Sequence, residues 1–271
     1  MTKIVGILNV TPNSFSGDGI LDVSQALARA KEMINEGADI IDIGGEATNP
    51  GAEPVSLEEE LHRVLPVIEA VMSYCSSTVS IMLSIDTTKS EVAKEGCKLG
   101  VKIINDISGG EFDSKIWEVA REYKVRYIIG HITARPKFMQ SNLTKEPILE
   151  TLKEYFEKKI KKAKEFGLSP DKLIIDPCVG FGKSAKQNWK ILQNLNVFKQ
   201  FGLPLMIGLS RKTFIGKLLG SEENPAPPSE RENATSLLNF YCMLQGVDLI
   251  RTHNVKNARE ARKTCKRLTQ G

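Results

Sequence analysis

Short β-branched apolar runs alternate with helical stretches from one end of the chain to the other, and most of the runs end on a polar side chain. Leu173-Ile174-Ile175 is the plainest, a buried-strand run that stops at Asp176-Pro177 and gives way to a loop holding Gly180 and Gly182. Pro177 has no N–H for a ladder bond and keeps the residue before it extended, so the Asp176 carboxylate stands at the C-terminal end of its strand. A lone Asp-Pro reads as an Asx turn. The recurrence argues for more than that. Ile40-Ile41-Asp42-Ile43 runs into Gly44-Gly45-Glu46, and Ser84-Ile85-Asp86 into Thr87-Thr88. Ile103-Ile104 leads to Asn105-Asp106, and Leu249-Ile250-Arg251 to Thr252-His253.

Taken in order, strands are expected over 4–8, 40–43, 79–85, 101–105, 126–130, 173–175, 205–208 and 248–251. Helices are expected between them, among them 23–36, 114–123, 146–166, 187–195 and 233–245. Ser56 and Glu59 read as a capping box, and Thr87 or Thr88 as the cap of a helix ending at Lys98. The loops over 9–19 and 44–55 are longer than simple turns, as functional loops often are. Eight such units without internal repeats predict one (β/α)8 barrel domain over residues 1–271, a size and 41% hydrophobic content that suit one large core. A doubly wound sheet would carry a Gly-rich turn after its first strand, and Asn9-Val10-Thr11-Pro12 stands there instead. In a barrel of this type the active site lies at the C-terminal rim, so the polar strand ends form it by position alone.

A net charge of +4, spread along the chain, calls for neither nucleic acid nor membrane, and the basic last helix reads as a solvated face. No run approaches 18 apolar residues, and Met1-Thr2-Lys3 leads straight into a strand, so a cytoplasmic protein is expected. Five scattered cysteines without CxxC spacing read as reduced thiols.

Asp86, Asn105 and Asp176 converge from strands three, four and six: two acids and an amide that suit a ligand edge rich in N–H donors. Ser210-Arg211-Lys212 opens a helix and reads as an anion site, with Lys212 also in place to meet a ring carbonyl or nitrogen. Arg251 and His253 alternate after strand eight, so both face one phosphate, and Asn9 comes from neighbouring strand one. A carboxamide beside a phosphate is a reasonable magnesium ligand. His62 is placed on a helix surface, and His131 stays open.

These residues carry a family resemblance. Asn9-Val-Thr-Pro-Asn-Ser-Phe-Ser, Ile41-Asp-Ile-Gly-Gly-Glu-Ala-Thr48, Ser84-Ile-Asp86-Thr, Asn105-Asp-Ile and Asp176-Pro-Cys-Val-Gly-Phe-Gly-Lys183 occur in order, followed by Gly208-Leu-Ser-Arg-Lys212, Ser229-Glu-Arg-Glu-Asn-Ala-Thr and Ile250-Arg251-Thr-His253. Together they resemble the dihydropteroate synthases, the folate-pathway transferases that sulfonamide drugs target. The resemblance implies condensation of 6-hydroxymethyl-7,8-dihydropterin diphosphate with 4-aminobenzoate by an SN1-like, magnesium-assisted loss of diphosphate, in a homodimer. It implies that Asp86, Asn105, Asp176, Lys212 and Arg251 hold the pterin, and that Asn9, Thr48, Arg251 and His253 attend diphosphate, with Asn9 on Mg2+. Pro50, Phe181, Ser210 and Lys212 would receive 4-aminobenzoate. Asp86, Asp176, Lys212, Arg251 and His253 would be the catalytic set.

Three departures stand out. Ala47-Thr48-Asn49-Pro50 replaces the family's Ser-Thr-Arg-Pro, Cys178 replaces the glycine of Asp-Pro-Gly, and Gly130-His131-Ile132-Thr133-Ala134 replaces Met-His-Met-Gln-Gly. The competing readings are a related pterin-binding methyltransferase with a corrinoid partner and a catalytically silent pterin binder.

Overall fold

The computed structural model describes residues 1–11, 22–78 and 81–269. Eight parallel strands follow the chain around a ring: β1 (Lys3–Asn9), β2 (Ile40–Gly44), β3 (Met82–Asp86), β4 (Ile103–Asp106), β5 (Arg126–Gly130), β6 (Leu173–Asp176), β7 (Met206–Gly208) and β8 (Leu249–Thr252). β8 returns to pair with β1. A parallel bridge between Ile175 and Leu205, with the Ile175 N–H donating to Pro204 O at 3.0 Å, closes the ring between β6 and β7. The expected (β/α)8 barrel is the observed fold.

The two-residue period of a strand builds this barrel in layers. Val5, Ile40, Ile103, Ile128, Ile174, Met206 and Leu249 form one buried cluster, the apolar plug of the interior. The alternate residues, such as Ile4, Ile41, Ile43, Leu83, Ile85 and Ile175, join the larger core beneath the helices. Full burial of one such side chain contributes about 1.5–3 kcal/mol. Two residues past the plug, the same inward face carries Asp42, Asn105, Asp176 and Arg251, and one further period brings Asn9 and Ser210. The plug is thus the floor on which a polar layer rests.

The helices are α1 (Val23–Glu36), α2 (Leu57–Thr78), α3 (Ser90–Lys98), α4 (Ile116–Glu122), α5 (Ile148–Glu165), α6 (Ala185–Gln193), α7 (Thr213–Leu219), α8 (Glu232–Leu244) and α9 (Val255–Thr269). α6 has a complete capping box between Ser184 and Gln187. At α2 only half of the expected box forms: Ser56 Oγ accepts from Glu59 N at 3.2 Å, while the Glu59 carboxylate turns to Arg63 at 2.8 Å. Neither Thr87 nor Thr88 caps α3. That helix starts at Ser90, whose N–H donates to Asp113 Oδ2 at 2.8 Å from the segment after β4. Thr87 instead donates its hydroxyl to buried Glu60 at 2.6 Å. β3 begins at Met82, later than expected, and positions 79–80 of the expected strand lie outside the described residues, as does the loop after β1 beyond Thr11.

Candidate active site

A cavity of about 740 Å³ opens at the C-terminal rim of the strands. Every side chain that the family resemblance assigns to the site lines it, whereas Arg211 of the expected anion site turns to Glu232: Asn9, Thr48 and Pro50 come from the first two units, and Asp86 and Asn105 from the next two. Asp176 and Phe181 follow from β6 and its loop, Ser210 and Lys212 from β7, and Arg251 and His253 from β8. Register brings the acidic ends together, since Asp86 stands opposite Gly44 on one side and Asn105 on the other. A Cβ on Gly44 would sit 3.3 Å from that of Asp86, so the glycine makes room for the carboxylate.

One half of the cavity floor is a charge network. Arg251 Nε donates to Asp42 Oδ2 at 2.6 Å and its Nη2 to Asp86 Oδ2 at 2.5 Å. Asn105 Nδ2 donates to the same Asp42 oxygen at 2.9 Å, which leaves the Asn105 carbonyl as its acceptor for other groups. Burial pushes the Asp86 carboxyl up to about 7, with Arg251 pulling down and Asp42 pushing up. Burial also works against the Arg251 charge, but Asp42 and Asp86 outweigh it and hold the guanidinium pKa above its ordinary value.

The other half is built on the loop after β6. The Cys178 N–H donates to Asp176 Oδ1 at 2.7 Å and fixes that carboxylate. Burial raises the Asp176 pKa, opposed by Lys212. Burial likewise lowers Lys212 to about 8, opposed by Asp176. Lys212 Nζ donates to Val179 O and lies 4.2 Å from the Phe181 ring centroid, a cation–π contact.

Between the halves, His253 Nε2 lies 3.4 Å from Asn9 Nδ2, and its Nδ1 lies 2.7 Å from Ser210 Oγ. With the amide as donor, Nε2 accepts, so Nδ1–H points at the serine. The hydroxyl also accepts from His253 N at 3.2 Å. Ser210 therefore orients the imidazole.

The sequence reading missed three groups. Asp42 is fully buried and unites Arg251 with Asn105. Its signal was present: an acid inside Ile-Ile-Asp-Ile, on the inward face. Lys89 joins Glu46, on the cavity wall, to buried Glu60, and so ties the loop bearing Thr48 to α2. Lys183 is buried behind Gly182, and burial lowers it to about 7. His131, left open from sequence, is buried against it, with Nδ1 at 3.0 Å from Lys183 Nζ, and burial keeps its pKa well below the ordinary value.

The departures have local consequences. Cys178 takes φ 47°, the left-handed region that glycine enters without Cβ strain, so the loop keeps a glycine-like path with a cysteine in it. Its side chain packs with Ile107, Ile132 and Met139. Asn49 is half-buried at the cavity mouth, its Nδ2 3.4 Å from Pro50 O.

Comparison with known proteins follows the same lines. The sequence pattern of pterin binding enzymes matches residues 5–253. A dihydropteroate synthase from Synechocystis sp. is 40% identical over 256 residues, covering 94% of this chain and 86% of that protein. The crystal structure of the Yersinia pestis dihydropteroate synthase with a sulfonamide drug complex superposes with a TM-score of 0.93 at 35% identity, covering 100% of this chain and 95% of that one. A dihydropteroate synthase from Coxiella burnetii in complex with pteroic acid gives a TM-score of 0.86 at 33% identity, covering 100% and 94%.

Proposed function

Because the chain belongs to the pterin binding enzymes, within the dihydropteroate synthase family, we propose that its rim cavity condenses 6-hydroxymethyl-7,8-dihydropterin diphosphate with 4-aminobenzoate. The observation that carries this reading is the convergence of Asp176 and Lys212 from one half of the cavity with Asn105, Asp86 and Arg251 from the other, and of His253 between them. The Coxiella relative's pteroic acid, a pterin joined to an aminobenzoate, has the skeleton that such a condensation makes.

The Asp176 carboxylate and the Asn105 carbonyl accept from the pterin's N–H edge. Lys212 donates to its carbonyl and ring nitrogen, and Arg251 packs on its face. Asn9, Thr48, Arg251 and His253 meet the diphosphate. 4-Aminobenzoate lies between Pro50 and Phe181, within reach of Ser210 and Lys212. Diphosphate leaves by carbon–oxygen cleavage, and the carboxylates of Asp86 and Asp176 favour the pterin cation that remains. The aniline nitrogen then attacks the exocyclic carbon and loses a proton, so no protein nucleophile is required.

Asn9 fits a magnesium ion. It turns its amide nitrogen to His253, which directs its carbonyl oxygen, the atom that magnesium takes, away from the ring. Among the described residues no three His, Cys, Asp or Glu side chains are grouped to hold a metal, so the diphosphate and water would bring the other oxygens. When bound, the ion would neutralise charge on the leaving group.

The test is incubation with both substrates and identification of dihydropteroate by mass spectrometry. Condensed product is expected in proportion to enzyme. Its absence at every enzyme concentration would overturn the reading.

A further inference from the structure

Lys183 is a buried cation that the proposed reaction leaves unused. It ends the loop after β6, in which Cys178, Gly180 and Gly182 take φ of 47°, 95° and 56°. Four acceptors surround its Nζ: Phe181 O at 2.9 Å, His131 Nδ1 at 3.0 Å, His131 O at 3.1 Å and Cys178 O at 3.2 Å. The residue is only 3% exposed. An ammonium has three donors, so protein groups saturate it, and burying it without them would be costly.

Two lysines therefore hold one loop. Lys212 donates to Val179 O and faces the Phe181 ring, and in the reaction above it must share itself with the pterin. Lys183 makes its bonds to the protein alone. We infer that Lys183 is the positioning residue for the wall shared by both substrates. Through Cys178 it sets the N–H that fixes Asp176, and through Phe181 O it sets the ring that meets 4-aminobenzoate. It also ties this loop to the end of β5 at His131. The inference rests on the proposed function and concerns a residue on the cavity lining whose ammonium is already taken up by protein acceptors.

Lys183→Met removes the donors while keeping an unbranched side chain of similar length. The KM for 4-aminobenzoate is expected to rise about tenfold, with kcat at saturating substrates changed less than about threefold, as for loss of one charged hydrogen-bond anchor. A purely structural role would lower the melting temperature and leave KM of the folded enzyme unchanged. In a Phe181→Ala background the effect of Lys183→Met on KM should largely vanish, because the ring it places is gone. A KM for Lys183→Met equal to that of the unaltered enzyme, or additive effects in the cycle, would overturn the inference. Should Lys183→Met not fold, Lys183→Gln, whose amide is too short to reach all four acceptors, is scored by the same cycle. If the unaltered enzyme itself shows no turnover, the proposed function has failed instead. Calorimetry with pteroic acid then decides on Lys183: about tenfold weaker binding by the variant supports the inference, and equal binding overturns it.

Discussion

Arg251 is held by two carboxylates that face different surroundings: Asp42 Oδ2, 2.6 Å from Nε, is sealed inside the barrel, while Asp86 Oδ2, 2.5 Å from Nη2, lies on the cavity wall. Asp42 is then the fixed anchor, and Asp86 the partner that a ligand can draw away. Asp42→Asn leaves the half-buried Arg251 guanidinium with a single carboxylate and weakens the hold on Asn105. Breaking a buried pair from one side costs about 3–5 kcal/mol. Urea unfolding is expected to show a loss of this size, and a change below about 0.5 kcal/mol would mean that the pair is dispensable.

Buried charge of both signs shapes the dependence of stability on pH. The Asp86 carboxyl, raised to about 7, binds its proton more tightly when folded, so its contribution is complete at low pH and fades as pH rises through about 7. Glu60 and Asp176 are raised as well and act in the same direction, while His131, lowered, opposes them. Lys183 and Lys212, lowered to about 7 and about 8, release protons on folding, so stability returns as pH rises above that range. The melting temperature measured from pH 5 to 9 should pass through a minimum near neutrality. In Lys183→Met the rise on the alkaline side should flatten, and an unchanged alkaline rise would contradict the assignment.

Cys178 offers a test of backbone strain. At φ 47° any Cβ is penalised by roughly 1–2 kcal/mol relative to glycine. Cys178→Ala and Cys178→Gly both lose the sulfur packed against Ile107 and Met139, but only alanine keeps the strain. Denaturation midpoints should rank glycine above alanine, the reverse of the order in a helix. The ordinary order would show that this loop path carries no strain.

The polar strand ends were legible because a two-residue period is a local property: Asp176, Asn105 and Arg251 each stand two residues past an interior apolar side chain. What joins them was not. The partner of Asp42 is 209 residues away, that of Ser210 is 43 away, and the group that starts α3 is 23 away. Lys183 looked like a loop residue because its meaning lies in the carbonyls of Cys178, Phe181 and His131 that the folded loop and the end of β5 bring to it. Sequence pattern states which face a residue occupies, and only closure of the barrel states what it meets there.

Asn49 stands where the resembled family has arginine, at the mouth of the cavity. Asparagine offers a hydrogen bond but no long-range attraction for anionic substrates. Asn49→Arg is expected to lower KM for at least one substrate, with a benefit that shrinks as salt shortens the reach of the added charge. Steady-state kinetics at low and high ionic strength decide this. If neither KM falls, the charge-replacement account is wrong.

The most direct test of the site is dihydropteroate formation by the unaltered enzyme, Asp176→Asn and Lys212→Ala, with pterin affinity measured by calorimetry on the same preparations. Loss of a buried charged hydrogen-bond partner typically costs about 2–5 kcal/mol. Each variant should therefore stay folded, bind pterin at least about tenfold more weakly and turn over correspondingly less. Unchanged pterin affinity in either variant, beside an active unaltered enzyme, would place the pterin somewhere other than this cavity wall.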